Sequence, residues 1–511
     1  MPTRKLRPPV PTKMFALLVC VGALAGLSAT RAHAQPLTVS EALALAVTSN
    51  PTVRAASAQI ESAEAGVASA EGARVPTLTL DASGRHSESI NVAANGVASS
   101  SQDQVSTGAA ATFQTGIGTS VTVGSDTAVR WVSTNLDPSR TDLFRIGPIY
   151  SAGLSLGVRQ PLMRGAGRGA TTAPRREAEA RQRAAERSRD ATISQLALDV
   201  IVAHWELWYS QEALAIADAA LTLAIRADEE ARIRHEELQT LAANERLRYA
   251  AELARARRTH ANAAAELENR AVALGQLIGV QGARTAQLRA AAEPIDYRAP
   301  STLEALLDAA RANSSQLLAL EADIEAADAR VTSAANSNRA RVDLTGSLEA
   351  AVVFTEETIS PLQLPGNRPA LSGSVGLEVE LPLGRSQQSA EHQRARAERD
   401  LAVARYDEAV RALDAEVASL RTTLTTSEAR LVLSADAADT ASRLADSERE
   451  RLGLGTGTVV GVLDAQQDAR EAALELRRAQ ADYAETLASL QHTVGALVER
   501  DTAELSTGDE H

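Results

Sequence analysis

Asp464 and Asp468 follow directly on a stretch with three glycines in five positions, Gly453, Gly455 and Gly457. Four residues make about one helical turn, so both carboxylates share a face of any helix that begins at Thr458. Repeated by symmetry, they form an acidic ring that favours cations and can close a channel. Without symmetry they are solvated acids near a helix N-terminus, where they complement the dipole. Other residues invite chemistry less well. Gly153-Leu-Ser155-Leu-Gly157 has the spacing of a nucleophile elbow, but it lies in continuous apolar/polar alternation rather than a strand–turn–helix context. His235-Glu236-Glu237-Leu238-Gln239 lacks the second histidine of a zinc helix, and the eight histidines show no ligand spacing. No cofactor or metal is implied. His204, Trp205, Trp208 and Tyr209 stand at helix-packing intervals and read as a bulky contact between helices. Arg159, Glu378 and Glu380 fall on the polar side of alternating segments. That places them either in the lumen of a barrel or at its interface with lipid.

The elements that must position these groups are mostly long helices. The glycines end one helix, because glycine adopts the left-handed geometry of a helix stop without strain, and Thr458 caps the next. The composition agrees: 44% hydrophobic but 3% aromatic, with Ala, Leu, Glu, Arg and Gln abundant. Such a chain is poor in the bulky side chains that fill large compact cores. It has no 18-residue apolar run and hence no transmembrane helix.

The N-terminus reads as a cleaved export signal over residues 1–34. Arg4, Lys5, Arg7 and Lys13 precede an apolar stretch from Met14 to Leu27, and Ala32-His33-Ala34 is a cleavage site. Removal takes five positive charges and no acidic ones, moving the net charge from −13 to −18 and making nucleic acid an unsuitable partner. The single cysteine, Cys20, leaves with this segment, so disulfide and thiol chemistry play no part in the mature chain.

Along the chain, a helical pattern from Val39 to Arg74 is interrupted at Pro51. Period-two alternation follows from Pro76 (Leu78, Leu80, Ala82), then a Ser/Gly/Asn-rich loop to about Ser106. A second alternating patch, Phe113–Val123, looks like a hairpin and is either an extracellular extension or two more strands. A return strand runs from Tyr150 to Gln160, and helices cover about 174–279. After a linker at 280–300 the pattern restarts. Glu304-Ala-Leu306 repeats Glu41-Ala-Leu43, strands lie within 341–382, helices cover 387–498, and a tail occupies 499–511. In each copy, helices of about 36–39 and 37–40 residues, stacked end to end, match one of about 62–66 residues, a rod of roughly 95 Å. Strand hairpins flanked by such rods keep open edges that only other subunits can close.

The tandem pattern, the strand exits Gln160-Pro161-Leu162 and Leu381-Pro382-Leu383, and Gly455-Thr-Gly-Thr-Val-Val-Gly-Val-Leu-Asp-Ala465 together resemble the TolC-like outer-membrane efflux proteins over about residues 37–500. The resemblance implies a mixed α/β membrane protein. It would be a homotrimer whose 12-stranded transmembrane β-barrel, four strands per chain, continues as a long α-helical coiled-coil tunnel in the periplasm, with two tandem repeats per chain. It implies an outer-membrane exit duct for drug efflux or type I secretion, in contact with outer-membrane lipid and docked to a periplasmic adaptor and an inner-membrane transporter. The family's second hairpin carries a turn arginine and two acids three residues apart. Here Asp464 falls on the second acid, Gly461 on the first and Gly457 on the arginine. Counting back from Gly279 against Gly495 sets Glu245 opposite Gly461 and Glu252 opposite Asp468, with Gln239 where the family has glycine. Asp464, Asp468 and Glu245 are therefore the expected gate. Leu238, Gln239, Gly453, Gly455, Gly457 and Thr458 are the adaptor-docking tips, and Arg159, Glu378 and Glu380 the lumen residues. The alternative is an exported periplasmic coiled-coil stalk with no channel.

Overall fold

The computed structural model describes residues 36–93, 96–134, 144–280, 282–294, 302–355, 370–381 and 387–497. The export signal, the tail at 499–511 and Pro382-Leu383 lie outside them. Helices α1 (Val39–Ser49) and α2 (Pro51–Gly72) lead into strands β1 (Thr77–Ala93), β2 (Gly96–Gln114), β3 (Ser120–Thr134) and β4 (Phe144–Pro161). The long α3 (Arg168–Glu236) and α4 (Ala243–Leu277) follow. Then come α5 (Leu303–Asn313), α6 (Ser315–Ser337), β5 (Arg341–Thr355), β6 (Ala370–Glu380), α7 (Gln387–Gly453) and α8 (Val459–Val494).

The helix breaks have local causes. Thr38 and Glu41 form a capping box at the start of α1, each side chain bonding the other's backbone N–H. Asn50 then ends α1 and caps α2 through Thr52 N–H, with Pro51 in the first turn where its missing donor costs nothing. Asn50 also donates to the Leu277 carbonyl, and the Ser49 hydroxyl donates to that of Ile278. The C-terminus of α4 therefore abuts the junction of α1 and α2. A Cβ on Gly279 would come within 2.5 Å of Ser49 Oγ, and one on Gly495 within 2.7 Å of the Asn313 carbonyl, so both joints need glycine for space as well as for positive φ.

Two apolar clusters hold the helices. One gathers Leu43, Val200, Leu207, Leu274 and Ile278 around Trp205 and Trp208, whose rings meet edge to face 5.3 Å apart. Beside them His204 is buried, donates from Nε2–H to the Leu37 carbonyl at 2.9 Å, and has its pKa lowered by that burial. The other cluster packs Leu306 against Val417, Leu424, Tyr483 and Leu490. Between these and the tips, Ala224 and Ala256 let α3 and α4 approach closely. The stretch expected as a linker is tied down in part: a 3₁₀ turn covers Gly282–Gln287, and Leu37 pairs with Ala290.

All strands belong to one antiparallel six-stranded sheet, in the order β1-β2-β3-β4-β5-β6. This corrects two expectations. The Ser/Gly/Asn-rich stretch to Ser106 is not a loop but the far half of β1 and the near half of β2, paired without interruption from Thr77↔Thr112 to Ala93↔Gly96. The described residues accordingly supply six strands, not four, and the 12-stranded barrel no longer follows. The reason is that its serines are paired across strands: Ser83 with Ser106 and Ser89 with Ser100, at 2.8 and 2.9 Å. A smaller correction concerns α3, which starts at Arg168 rather than Pro174.

Candidate functional site

The sheet register sorts the side chains of all six strands onto two faces, because directly opposed residues point the same way. One face is apolar: Phe113, Val121, Val158 and Val375 form one row, and Val123, Leu156 and Leu348 the next. Leu78 and Leu80 extend it on β1, and Leu377 and Val379 on β6. Among the described residues nothing covers the outermost of these groups; Val375 is 83% and Leu371 78% exposed. The opposite face is polar, with Thr112 bonded to Thr122 and Ser347 to Ser374.

Arg159 and Glu378 project from the polar face near the helical end of the sheet, together with Glu380 at the end of β6. Two residues that sequence reading missed bind them together. Asp343, with no exposed surface, accepts from Arg159 Nε at 2.7 Å and from Arg341 Nε at 2.7 Å. Arg341 also reaches Glu378 at 3.7 Å and Glu380 at 3.4 Å, while Arg164 from the exit loop reaches Glu380 at 3.1 Å. Charge-assisted bonds of this kind fix the ends of β4, β5 and β6 against one another where the chain passes into helices. Ser155 lies midway along β4, paired between Gly124 and Glu349.

The two helical tips lie at the other end. In the α7–α8 turn, Thr456 and Gly457 donate to the Arg451 carbonyl and Gly455 has φ 76°. Thr458 caps α8 by accepting from Gly461 N–H at 3.1 Å. Gly457 is needed for space: a Cβ there would lie 2.8 Å from the Leu452 nitrogen. Gly453 meets neither condition, being helical with open space around it, so its expected part in setting the turn is corrected. In the α3–α4 turn, Leu238 donates to the Ile233 carbonyl and Thr240 to that of Arg234. Gln239 occupies the left-handed position with φ 52°. Leu238 and Leu454 stand out from the two tips, 61% and 73% exposed.

Asp464 and Asp468 are exposed on α8, with no ion pair or side-chain hydrogen bond among the described residues. Glu245 is half-buried in the first turn of α4. Glu252, by contrast, is buried between helices, bonded to Arg470 of α8 at 2.8 Å. Further up α8, Glu485 is pushed up to about 7 by burial and by the neighbouring Glu206 carboxylate. Among the described residues no group of three or more His, Cys, Asp or Glu side chains is arranged to hold a metal ion, and no helix is long and apolar enough to cross a membrane.

No curated protein matches the chain in sequence. A membrane protein from Pseudomonas aeruginosa superposes with a TM-score of 0.65 at 18% identity, covering 89% of this chain and 93% of its own. The outer membrane protein VceC of Vibrio cholerae gives 0.62 at 20% identity, covering 89% and 96%. The CmeC outer membrane channel of Campylobacter jejuni gives 0.64 at 13% identity, covering 92% and 89%. Identities this low establish a shared fold. In sequence, residues 306–496 match the family model for outer membrane efflux proteins, and the chain shares its fold with these solved outer membrane proteins.

Proposed function

We propose that three copies of this chain close a β-barrel in the outer membrane and continue it as a helical duct through the periplasm. The duct is the passive exit of an efflux pump or a type I secretion system. In this reading the chain is two tandem repeats, 35–279 and 301–498, behind an export signal that is cleaved. It carries out no covalent chemistry; an inner-membrane transporter supplies the energy and a periplasmic adaptor joins the two.

The observation that carries this reading is the sheet, which among the described residues has one uncovered apolar face and two unpaired edges, β1 and β6. Unpaired strand edges are not tolerated in lipid, where every N–H and C=O must find a partner, so the wall has to close. The apolar face then meets lipid, and the polar face with Arg159, Glu378 and Glu380 lines a water-filled lumen. At the far end the exposed Leu238 and Leu454 offer the adaptor an apolar anchor on each tip, presented by turns that contain Gln239, Gly455 and Gly457, with Gly453 closing α7 and Thr458 capping α8. Asp464, Asp468 and Glu245 line the mouth. Each hairpin contributes one acid of the gate pair, Glu245 on α4 and Asp464 on α8, so symmetry sets them alternately around the axis. Closing such a ring costs Coulomb energy, about 4 kcal/mol for unit charges 4 Å apart at an effective dielectric of 20. With glycine at 457 instead of a cation, the closed state is weakly held.

Fractionation followed by mass measurement in detergent tests the proposal. A complex of three copies from the outer membrane is expected. Release of the intact protein without detergent, as a soluble monomer, overturns it in favour of a periplasmic stalk.

A further inference from the structure

Among the described residues β2 and β3 have no counterpart in the second half of the chain, where β5 pairs with β6. Their hairpin is built into the wall. It lies between β1 and β4, not beyond a free edge. Its turn is at the helical end of the sheet, seated on the loop that leads into α3. There Thr171 Oγ1 donates to the Gly116 carbonyl at 2.6 Å, and Gly167 N–H to that of Ile117 at 3.1 Å. A Cβ on Gly118 would fall 2.3 Å from the Gly165 carbonyl, so the fit is close. The faces are continuous as well. Val123 lies beside Leu156 on the apolar side, and Thr122 bonds to Thr112 on the polar side.

The register also gives the tilt. A row drawn from Thr77, the first residue of β1, passes Thr112, Thr122, Gly157 and Ser347 and reaches Ser374. That is about six residues short of the end of β6, Glu380. A slip of about six residues at ~3.3 Å across five spacings of ~4.8 Å is a tilt of roughly 40°, the inclination of closed membrane barrels. All six strands, the shortest 11 residues, are long enough to span the hydrocarbon core. An even number sends β1 and β6 in opposite directions, so β6 of one copy meets β1 of the next antiparallel.

Resting on the trimeric reading above, we infer that the wall has eighteen strands, six from each copy, rather than twelve. Eighteen strands ~4.8 Å apart and tilted ~40° give a barrel of about 36 Å diameter, against about 24 Å for twelve. The outer section is then about 1.5-fold wider than the four-strand pattern allows. The barrel wall does not set the size limit for cargo; the helical tunnel and its tips do. The duct therefore accepts bulky solutes or polypeptide segments at its outer end, provided they pass the tips.

Imaging the full-length complex in nanodiscs tests this, beside a variant lacking residues 96–134 that joins β1 to β4. The parent barrel should measure about 36 Å and the variant about 24 Å; a parent barrel near 24 Å overturns the inference. Should the variant fail to assemble, single cysteines in the full chain decide the same point. Thr122→Cys should react with a water-soluble thiol reagent and Val123→Cys only with a lipid-soluble one. Equal reaction of both with the water-soluble reagent places the hairpin outside the wall and overturns the inference. A complex that is trimeric by mass but narrow contradicts only the strand count, whereas a monomer contradicts the trimeric reading itself.

Discussion

The two helical tips make the same turn from different chemistry. A constant offset of residue number relates Gln239 to Gly455, Ala242 to Thr458 and Glu245 to Gly461, and carries on to the helix ends at Gly279 and Gly495, both with positive φ. The second tip is made of residues suited to it: a glycine in the left-handed position and a threonine cap. The first tip places glutamine at φ 52° and alanine at the cap, so no side chain caps α4. It is held instead by a salt bridge between its helices, Arg246 to Asp228 at 2.7 Å, both largely shielded from solvent. The nearest pair at the second tip, Arg451 to Glu448 at 2.5 Å, lies within one helix. The difference teaches that one turn depends on backbone freedom and the other on cross-helix contacts, so their sensitivities to substitution should be opposite.

The largest effect should come from Gly455→Val. A β-branched residue forced to φ 76° costs on the order of 2 kcal/mol or more, and among the described residues no ion pair joins the two helices at this turn. Export should drop while the amount of protein in the membrane stays constant, as measured by transport assay and immunoblot. Normal export at normal protein level would remove the second tip from the docking surface. The converse change, Gln239→Gly, relieves the same strain and should leave export intact while stabilising the first tip by about 1 kcal/mol. Slower hydrogen exchange of the Leu238 and Thr240 amides would register the gain. Thr458→Ala should cost about 1 kcal/mol through loss of the cap, read as faster exchange at Gly461 N–H.

How far these features are legible in the sequence depends on the range of the contacts that make them. Gly455 and Thr458 announce a turn because glycine and threonine act on their own neighbours. Gln239 announces nothing, since its conformation is imposed by the helices on either side. The same contrast runs through the sheet. Leu78, Leu80, Leu377 and Val379 alternate with polar residues and read as strands directly. Residues 99–106 do not, because Ser100 and Ser106 find their hydrogen-bond partners only once β1 lies alongside. Asp343 and Arg341 escaped notice because their importance rests on cross-strand register, which brings Arg159 to Asp343 from another part of the chain.

The comparison extends up the outer helices. Glu485 of α8 sits, by the same offset, where α4 carries the exposed neutral Asn269. Its folded pKa is raised from 4.5 to about 7, so folding favours the protonated form. No penalty applies below about pH 4.5; it grows as pH rises to about 7 and is constant above. Glu485→Gln should therefore raise the thermal midpoint at pH 8, with the gain fading toward pH 4.5. A gain independent of pH would assign the effect to packing instead. The smallest expected change is Asp464→Asn, which removes one of the two alternating acids of the proposed gate. Glu245 remains, so cation preference should weaken without vanishing. An unchanged reversal potential under a salt gradient would place Asp464 outside the conducting path.

The central claim is that three copies form a conducting duct through the outer membrane. Single-channel recording of the purified trimer in a planar bilayer tests it most directly. Discrete current steps with a reversal potential displaced toward that of cations are predicted. A membrane-inserted trimer that passes no current, or a monomer that passes the same current, would contradict the account.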